Sequence, residues 1–257
     1  MIDEHIIPAN WGVKPVLFSI GNINIPSYSF FVALAVVVGG LVYYYEAKRN
    51  KSTGENTFYI LMAAFVGGVL GAKIPIWIMN YKYIIASFPD IGPLLSGRTI
   101  VGGLIGGTIG VWILKWKLNI KERKGNLFAP AAAIGIAIGR IGCFLRGCCY
   151  GTATSLPWGV NFGDGIMRHP TQLYESVFAF GMFLYIQRVK KNAKPGKLFD
   201  MFMISYFTFR FFEEFIREES RPILGFTIFQ IICAGVLLTY LIKALVENYK
   251  SKKSDKR

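Results

Sequence analysis

Charge is scarce in this sequence. Only 17% of its 257 residues are charged, against 53% hydrophobic and 15% aromatic, and the mean hydropathy is positive. A soluble domain of this length buries a core but is rarely so apolar throughout. Acidic residues are scarcer than basic ones, 15 against 29, which leaves a formal net charge of +14. No cleavable signal peptide is expected: the start, "MIDEH", is acidic, and no short apolar run with a small-residue cleavage site follows. No linker is long enough to divide the chain, no repeat stands out, and no helix carries the repeated polar stripe of a pore. The expectation is one polytopic membrane domain over 1–257, with an outer N-terminal segment at 1–26 and a basic cytoplasmic tail at 247–257.

What is present is long apolar runs. Helices are expected at about Ser27–Tyr45, Phe58–Met79, Thr99–Leu114, Leu127–Leu145, Leu173–Ile186, Leu198–Phe212 and Phe226–Val246. Several reach the ~20 residues that span a bilayer. The fold class expected is therefore an all-α integral membrane protein with seven transmembrane helices. The stretch 81–95 is apolar but broken by Pro89 and Pro93, and reads as an outer, membrane-hugging or re-entrant piece. The N-terminal segment reads as lying along the interface through Trp11, Val16, Leu17 and Phe18.

The basic excess first suggests nucleic acid, but its distribution argues for topology. With the N-terminus outside, the inner segments 46–57, 115–126, 187–197 and the tail from Glu247 hold 3, 5, 5 and 5 Lys/Arg residues, and all the outer segments together hold seven. That alternation is the positive-inside pattern, carried through all seven spans. It places the C-terminus in the cytoplasm and names the lipid bilayer, not nucleic acid, as the partner of the charge.

Two glycine patterns read as packing seams. Gly102, Gly106 and Gly110 recur every four residues, and Ala131, Gly135 and Gly139 do the same; small residues at this spacing let helix backbones approach closely in lipid.

Ionisable groups inside the apolar helices are few, and each costs on the order of 2.5–3.5 kcal/mol at the bilayer centre. They are Lys73, Arg140, Glu175 and Arg210, all toward the outer side, and Lys243, which can snorkel at the inner end. Two arginines and a carboxylate there suggest a polar cavity open to the outside, and arginine's planar fork suits a phosphate. In "RFFEEFIREESRP", 210–222, Arg210–Glu214 and Glu213–Arg217 stand at i,i+4, and Arg210 and Arg217 share a face. In "RHPTQLYES", 168–176, Pro170 fits the first helical position, which puts His169 at the cap. Gln172 and Glu175 share a face. His169 is either a structural cap or an acid–base group, because histidine titrates near pH ~6.5.

Taken together, these stretches resemble the prolipoprotein diacylglyceryl transferase family, over nearly the whole chain. The family's "GRxGNFxNGExxG" stands here as "GRIGCFLRGCCYG", its "HPSQLYE" as "HPTQLYE", and its "RFxxEFxR" intact as "RFFEEFIR". Its tyrosine early in the first helix matches Tyr28. The resemblance implies a multi-pass enzyme of the bacterial inner membrane that uses no cofactor and no metal. It implies transfer of diacylglycerol from phosphatidylglycerol to the lipobox cysteine of a secreted preprotein, forming a thioether. Arg140 and Arg210 would hold the phosphate. Glu175 and Glu214 would orient the arginines or Tyr28, and Gln172 and Arg217 would complete the substrate-binding set.

The sequence departs from the family where protons are handled. Val101 stands in place of its histidine, Cys143 in place of its asparagine and Cys148 in place of its glutamate. Either the base is elsewhere, with His169 the best candidate, or the chain does different chemistry on a similar lipid. Transfer to another acceptor, and non-catalytic phospholipid binding or transport, are the competing readings. Cys143, Cys148 and Cys149 read as thiols packing a tight turn, as a Cys143–Cys148 or Cys143–Cys149 disulfide, as ligands of a metal with His169, or as a catalytic thiol. The spacing matches no common zinc pattern. The topology places Cys148 and Cys149 at or beyond the outer surface, where thiols can oxidise. Cys233 reads as packing.

Overall fold

The computed structural model describes residues 13–222 and 224–254. The acidic start, Trp11 and the last three residues lie outside them. The described chain opens on a hairpin, in which β1 (Val16–Ile20) pairs antiparallel with β2 (Ile23–Pro26). Gly21 turns it at φ 57°, a left-handed value that costs glycine little. The apolar N-terminal segment is thus a strand pair, with Val16, Phe18, Ile20 and Ile23 exposed.

Helices follow: α1 (Ser27–Arg49), α2 (Glu55–Met79), the short α3 (Tyr81–Ala86) and α4 (Gly92–Leu95), α5 (Ile100–Lys117), α6 (Gly125–Arg146), α7 (Thr171–Val189), α8 (Lys197–Glu213) and α9 (Ile228–Ser254). A small hairpin of β3 (Val160–Asn161) and β4 (Met167–Arg168) lies between α6 and α7. Each expected apolar run became a helix. Several run past the apolar stretch because Lys48 and Arg49, or Lys115 and Lys117, extend the last turn and complement the negative end of the helix dipole.

Five of these helices, α1, α2, α5, α6 and α9, are long and apolar enough to cross a membrane. Seven were expected. α7 and α8 fall short because they carry the polar groups: Gln172, Glu175, Gln187 and Arg188 on α7, and Asp200, Arg210 and Glu213 on α8, which is only 17 residues long. They pack against α6 and each other, and α8 also against α9. Ala129, Ala133, Ala179, Phe202, Tyr206 and Phe207 form the centre of the core. The outer surface is apolar, with Leu41, Ile78, Trp112, Val177 and Leu238 all exposed. The protein is a mostly helical, multi-pass membrane protein.

The glycine seams are where they were expected. α2 packs on α5 so closely that a methyl group added at Gly71 would stand 2.6 Å from the Gly106 Cα, and one at Gly110 2.6 Å from the Ala63 carbonyl oxygen. α6 packs on α1 through Gly135 and Gly139 against Ala35, and Gly142 against Phe31 and Tyr28. Thr99 caps α5 by accepting from the Gly102 N–H at 3.2 Å, and its own N–H donates to the Ala72 carbonyl at 2.8 Å. The start of α5 is therefore fixed to α2.

α6 ends at Gly147, φ 78°. The Cys148 N–H returns to the Cys143 carbonyl at 3.1 Å and the Gly147 N–H to that of Phe144 at 3.0 Å. This cap turns the chain back over the bundle and buries Cys148 and half-buries Cys149. Both thiols were expected at or beyond the outer face of the membrane; the left-handed turn packs them against the protein. All four cysteines are free thiols, so neither disulfide forms. Cys233 packs in the core.

Candidate active site

Three helices deliver charged groups to one end of the bundle. Arg140 lies six residues before the end of α6, Glu175 in the second turn of α7, and Arg210 in the last turn of α8. Arg140 Nη2 pairs with Glu175 Oε2 at 2.5 Å, both side chains almost wholly buried. The Tyr206 hydroxyl donates to the other Glu175 oxygen at 2.7 Å. Arg210 Nη1 reaches Glu214 at 2.6 Å and Glu213 at 3.0 Å. Arg217 Nε lies 3.6 Å from Glu214. Arg140, Arg210 and Arg217 are thus set among Glu175, Glu213 and Glu214, a formally neutral cage. Buried charges of this kind hold their places only when paired.

One pairing differs from expectation. Arg217 pairs with Glu214 and, at 3.5 Å, with Glu219, while Glu213 serves Arg210. The i,i+4 match of Glu213 with Arg217 fails because α8 ends at Glu213 and tightens to a 3-10 turn over Glu214–Ile216, which rotates Arg217 off the helical face.

The loop after α6 is held under the cage by its carbonyls. Gln172 Nε2 donates to the Cys148 carbonyl at 2.5 Å, Thr171 Oγ1 to that of Cys149 at 2.8 Å, and Arg217 Nη1 to Cys149 at 2.9 Å. Buried donor and acceptor capacity is left over: Arg140 Nε and Gln172 Oε1 have no hydrogen-bond partner among the described residues. In a cage this buried, orphaned polar atoms mark where a polar ligand would be held.

Two expected site residues stand apart from the cage. His169 is not the cap of α7; Pro170 takes that position, and Thr171 begins the helix. The ring of His169 meets the Tyr174 hydroxyl through Nδ1 at 3.2 Å, and that hydroxyl also accepts from Trp158 Nε1 at 2.8 Å. Tyr28, in the first turn of α1, has the guanidiniums of Arg98 and Arg146 over its ring, and among the described residues its hydrogen bonds do not include Glu175 or Glu214. Val101 is buried in the main core, where it packs as an apolar side chain. Lys73 donates to the Leu95 carbonyl at 2.6 Å, and Lys243 pairs with Asp200 at 2.7 Å. On the loop, Asp164 accepts from Arg168 at 2.7 Å. Partial burial pushes its carboxyl up, but the Ile166 N–H and the Arg168 guanidinium outweigh that and hold it below its ordinary value. Among the described residues no cluster of three metal-ligating side chains is present.

Sequence reasoning missed Tyr206 and Thr171. Tyr206 stands four residues before Arg210, which puts it on the same helical face, so that signal was available.

An apolar-coated helical bundle with one buried arginine–glutamate cage defines a membrane-embedded protein equipped to handle an anion. The chain belongs to the prolipoprotein diacylglyceryl transferase family, whose model matches residues 15–246. It is similar to the phosphatidylglycerol–prolipoprotein diacylglyceryl transferase of Clostridium tetani, 34% identical over 217 residues, covering 81% of this chain and 87% of the relative. The protein of the same name from Finegoldia magna is 33% identical over 94% of this chain and 99% of its own. That from Geobacter sulfurreducens is 30% identical over 82% and 85%.

Proposed function

We propose that this chain transfers the diacylglyceryl group of phosphatidylglycerol to the lipobox cysteine of a prolipoprotein, in the inner membrane of a bacterium. The observation that carries the reading is Arg140, fixed by Glu175 at 2.5 Å, buried, and left with Nε free. The substrate thiolate forms the new C–S bond at the glyceryl carbon. The C–O bond to phosphate breaks, and its electron pair leaves on glycerol phosphate. Arg140 and Arg210 hold that phosphate and stabilise the charge that develops on it. Glu175 and Glu214 keep the two guanidiniums aimed, and Gln172 and Arg217 hold the cysteine loop that closes the site. Tyr28 lies on the approach to the cage, beside Gly142 of α6, and His169 takes the thiol proton. The bundle spans the membrane seven times with its N-terminus outside, supported by the Lys/Arg alternation along the loops. α7 and α8 cross inside a sheath of the more apolar helices, where their polar groups are tolerated.

The test is mass spectrometry of a lipobox peptide incubated with the purified protein and phosphatidylglycerol. A gain of one diacylglyceryl group, lost when the lipobox cysteine is replaced by serine, supports the reading. Lipid turnover without peptide modification points to another acceptor.

A further inference from the structure

The cage is not the only place at this end of the bundle where cations gather. Arg98, in the loop leading into α5, is exposed, and Arg146, the last residue of α6, is half-buried. Their guanidinium carbons lie 5.9 and 5.3 Å from the centroid of the Tyr28 ring. The two like charges are therefore at most about 11 Å apart and repel. Neither takes part in an ion pair among the described residues.

The structural reading of Arg146 is that it complements the negative end of the α6 dipole. That reading fails for Arg98, which sits two residues before Ile100, at the positive end of α5. Two converging guanidiniums with no paired carboxylate among the described residues are what an anion site looks like before the anion arrives. The cage, by contrast, is already neutral. Tyr28 also links the two places: a methyl group on Gly142, two residues after Arg140, would stand 3.4 Å from the Tyr28 Cα.

We propose that Arg98 and Arg146, arranged over Tyr28, form a second phosphate site at the rim, separate from the buried arginines, which holds a glycerol phosphate ester on its way to or from the cage. The ligand chemistry is a glycerophosphate oxyanion, gripped by two guanidinium forks. It belongs either to the incoming phosphatidylglycerol head group or to the departing glycerol phosphate. The site rests on the transferase reading for its purpose but not for its existence.

The experiment compares wild type with the double variant Arg98→Gln/Arg146→Gln, both in phosphatidylcholine nanodiscs. Peptide turnover is followed against phosphatidylglycerol concentration, with and without added glycerol phosphate, at low and high salt. If the site receives the lipid, the double variant raises KM for phosphatidylglycerol about tenfold or more with kcat within about twofold, and the salt dependence of kcat/KM flattens. If it receives the product, KM is kept and the inhibition constant of glycerol phosphate rises about tenfold instead. If both constants and the salt dependence match wild type, the rim site is wrong. Should wild type show no peptide turnover, the transferase reading fails on its own. Calorimetric titration with dihexanoyl phosphatidylglycerol and with glycerol phosphate then decides the rim site: weaker binding of either by the double variant supports it, and equal binding of both overturns it.

Discussion

Arg140 and Arg98 stand at the same end of the same bundle under opposite electrostatic conditions. Arg140 is buried, paired at 2.5 Å, and one of three arginines balanced by three glutamates. Arg98 is exposed and pairs with no carboxylate among the described residues. A guanidinium taken out of water must bring its counter-charge with it, so the buried set is neutral and rigid. A guanidinium left in water needs no partner and keeps its field for a mobile anion. Precision and attraction are divided between two sets of the same residue.

The strongest way to break this contrast is to unbalance the cage. Glu175→Ala strands Arg140 and removes the acceptor of Tyr206, and it should cost about 3–5 kcal/mol of stability, read as a lower unfolding midpoint in detergent and lost expression. Arg140→Lys keeps the charge but not the fork. It should leave the fold in place and lower kcat about 100- to 1,000-fold; near-normal turnover would refute the phosphate role. Arg98→Gln/Arg146→Gln, by contrast, should shift unfolding by no more than about 0.5 kcal/mol, since neither side chain closes a buried pair. A larger shift would show that the rim arginines are structural.

Arg168 is an intermediate case, paired with Asp164 of its own loop and with Glu218 beyond α8, and it should give the smallest effect. Asp164 is held below its ordinary value, so its contribution is present above the usual carboxylate range and lost as pH falls through its folded value, below about pH 4. Asp164→Asn should change turnover less than about twofold at neutral pH. Wild type should show an acid-induced rise in protease cleavage of 160–168, and the variant should not.

The helices were legible because apolar run length is a one-dimensional property, and all seven expected runs are helical. So were the seams, since small residues every four positions face one way. What was not legible needed the third dimension. The short hairpins β1–β2 and β3–β4 carry too few residues for a pattern to show. The inward turn of Cys148 and Cys149 depends on Gly147 adopting a left-handed conformation, and the same "RGCC" text is compatible with an exposed loop. The Glu213–Arg217 spacing assumed that α8 continued past Glu213. Arg98 and Arg146 were counted only as outer-loop charge, because nothing local in the sequence connects them to Tyr28. Five helices meet the length-and-composition test for crossing and two do not, because the buried polar and charged residues of α7 and α8 lower their hydropathy.

The seam between α2 and α5 has a mechanical consequence. Where Gly71 meets Gly102 and Gly106 backbone lies against backbone, which leaves few rotamers whose rearrangement could absorb a small displacement. The two helices, further tied by Thr99 to Ala72, behave as one stiff plank. Whatever widening admits a two-chained lipid must therefore fall along the plank's outer edges, where Ile100, Leu104 and Ile105 meet the core through flexible side chains, and never along its midline.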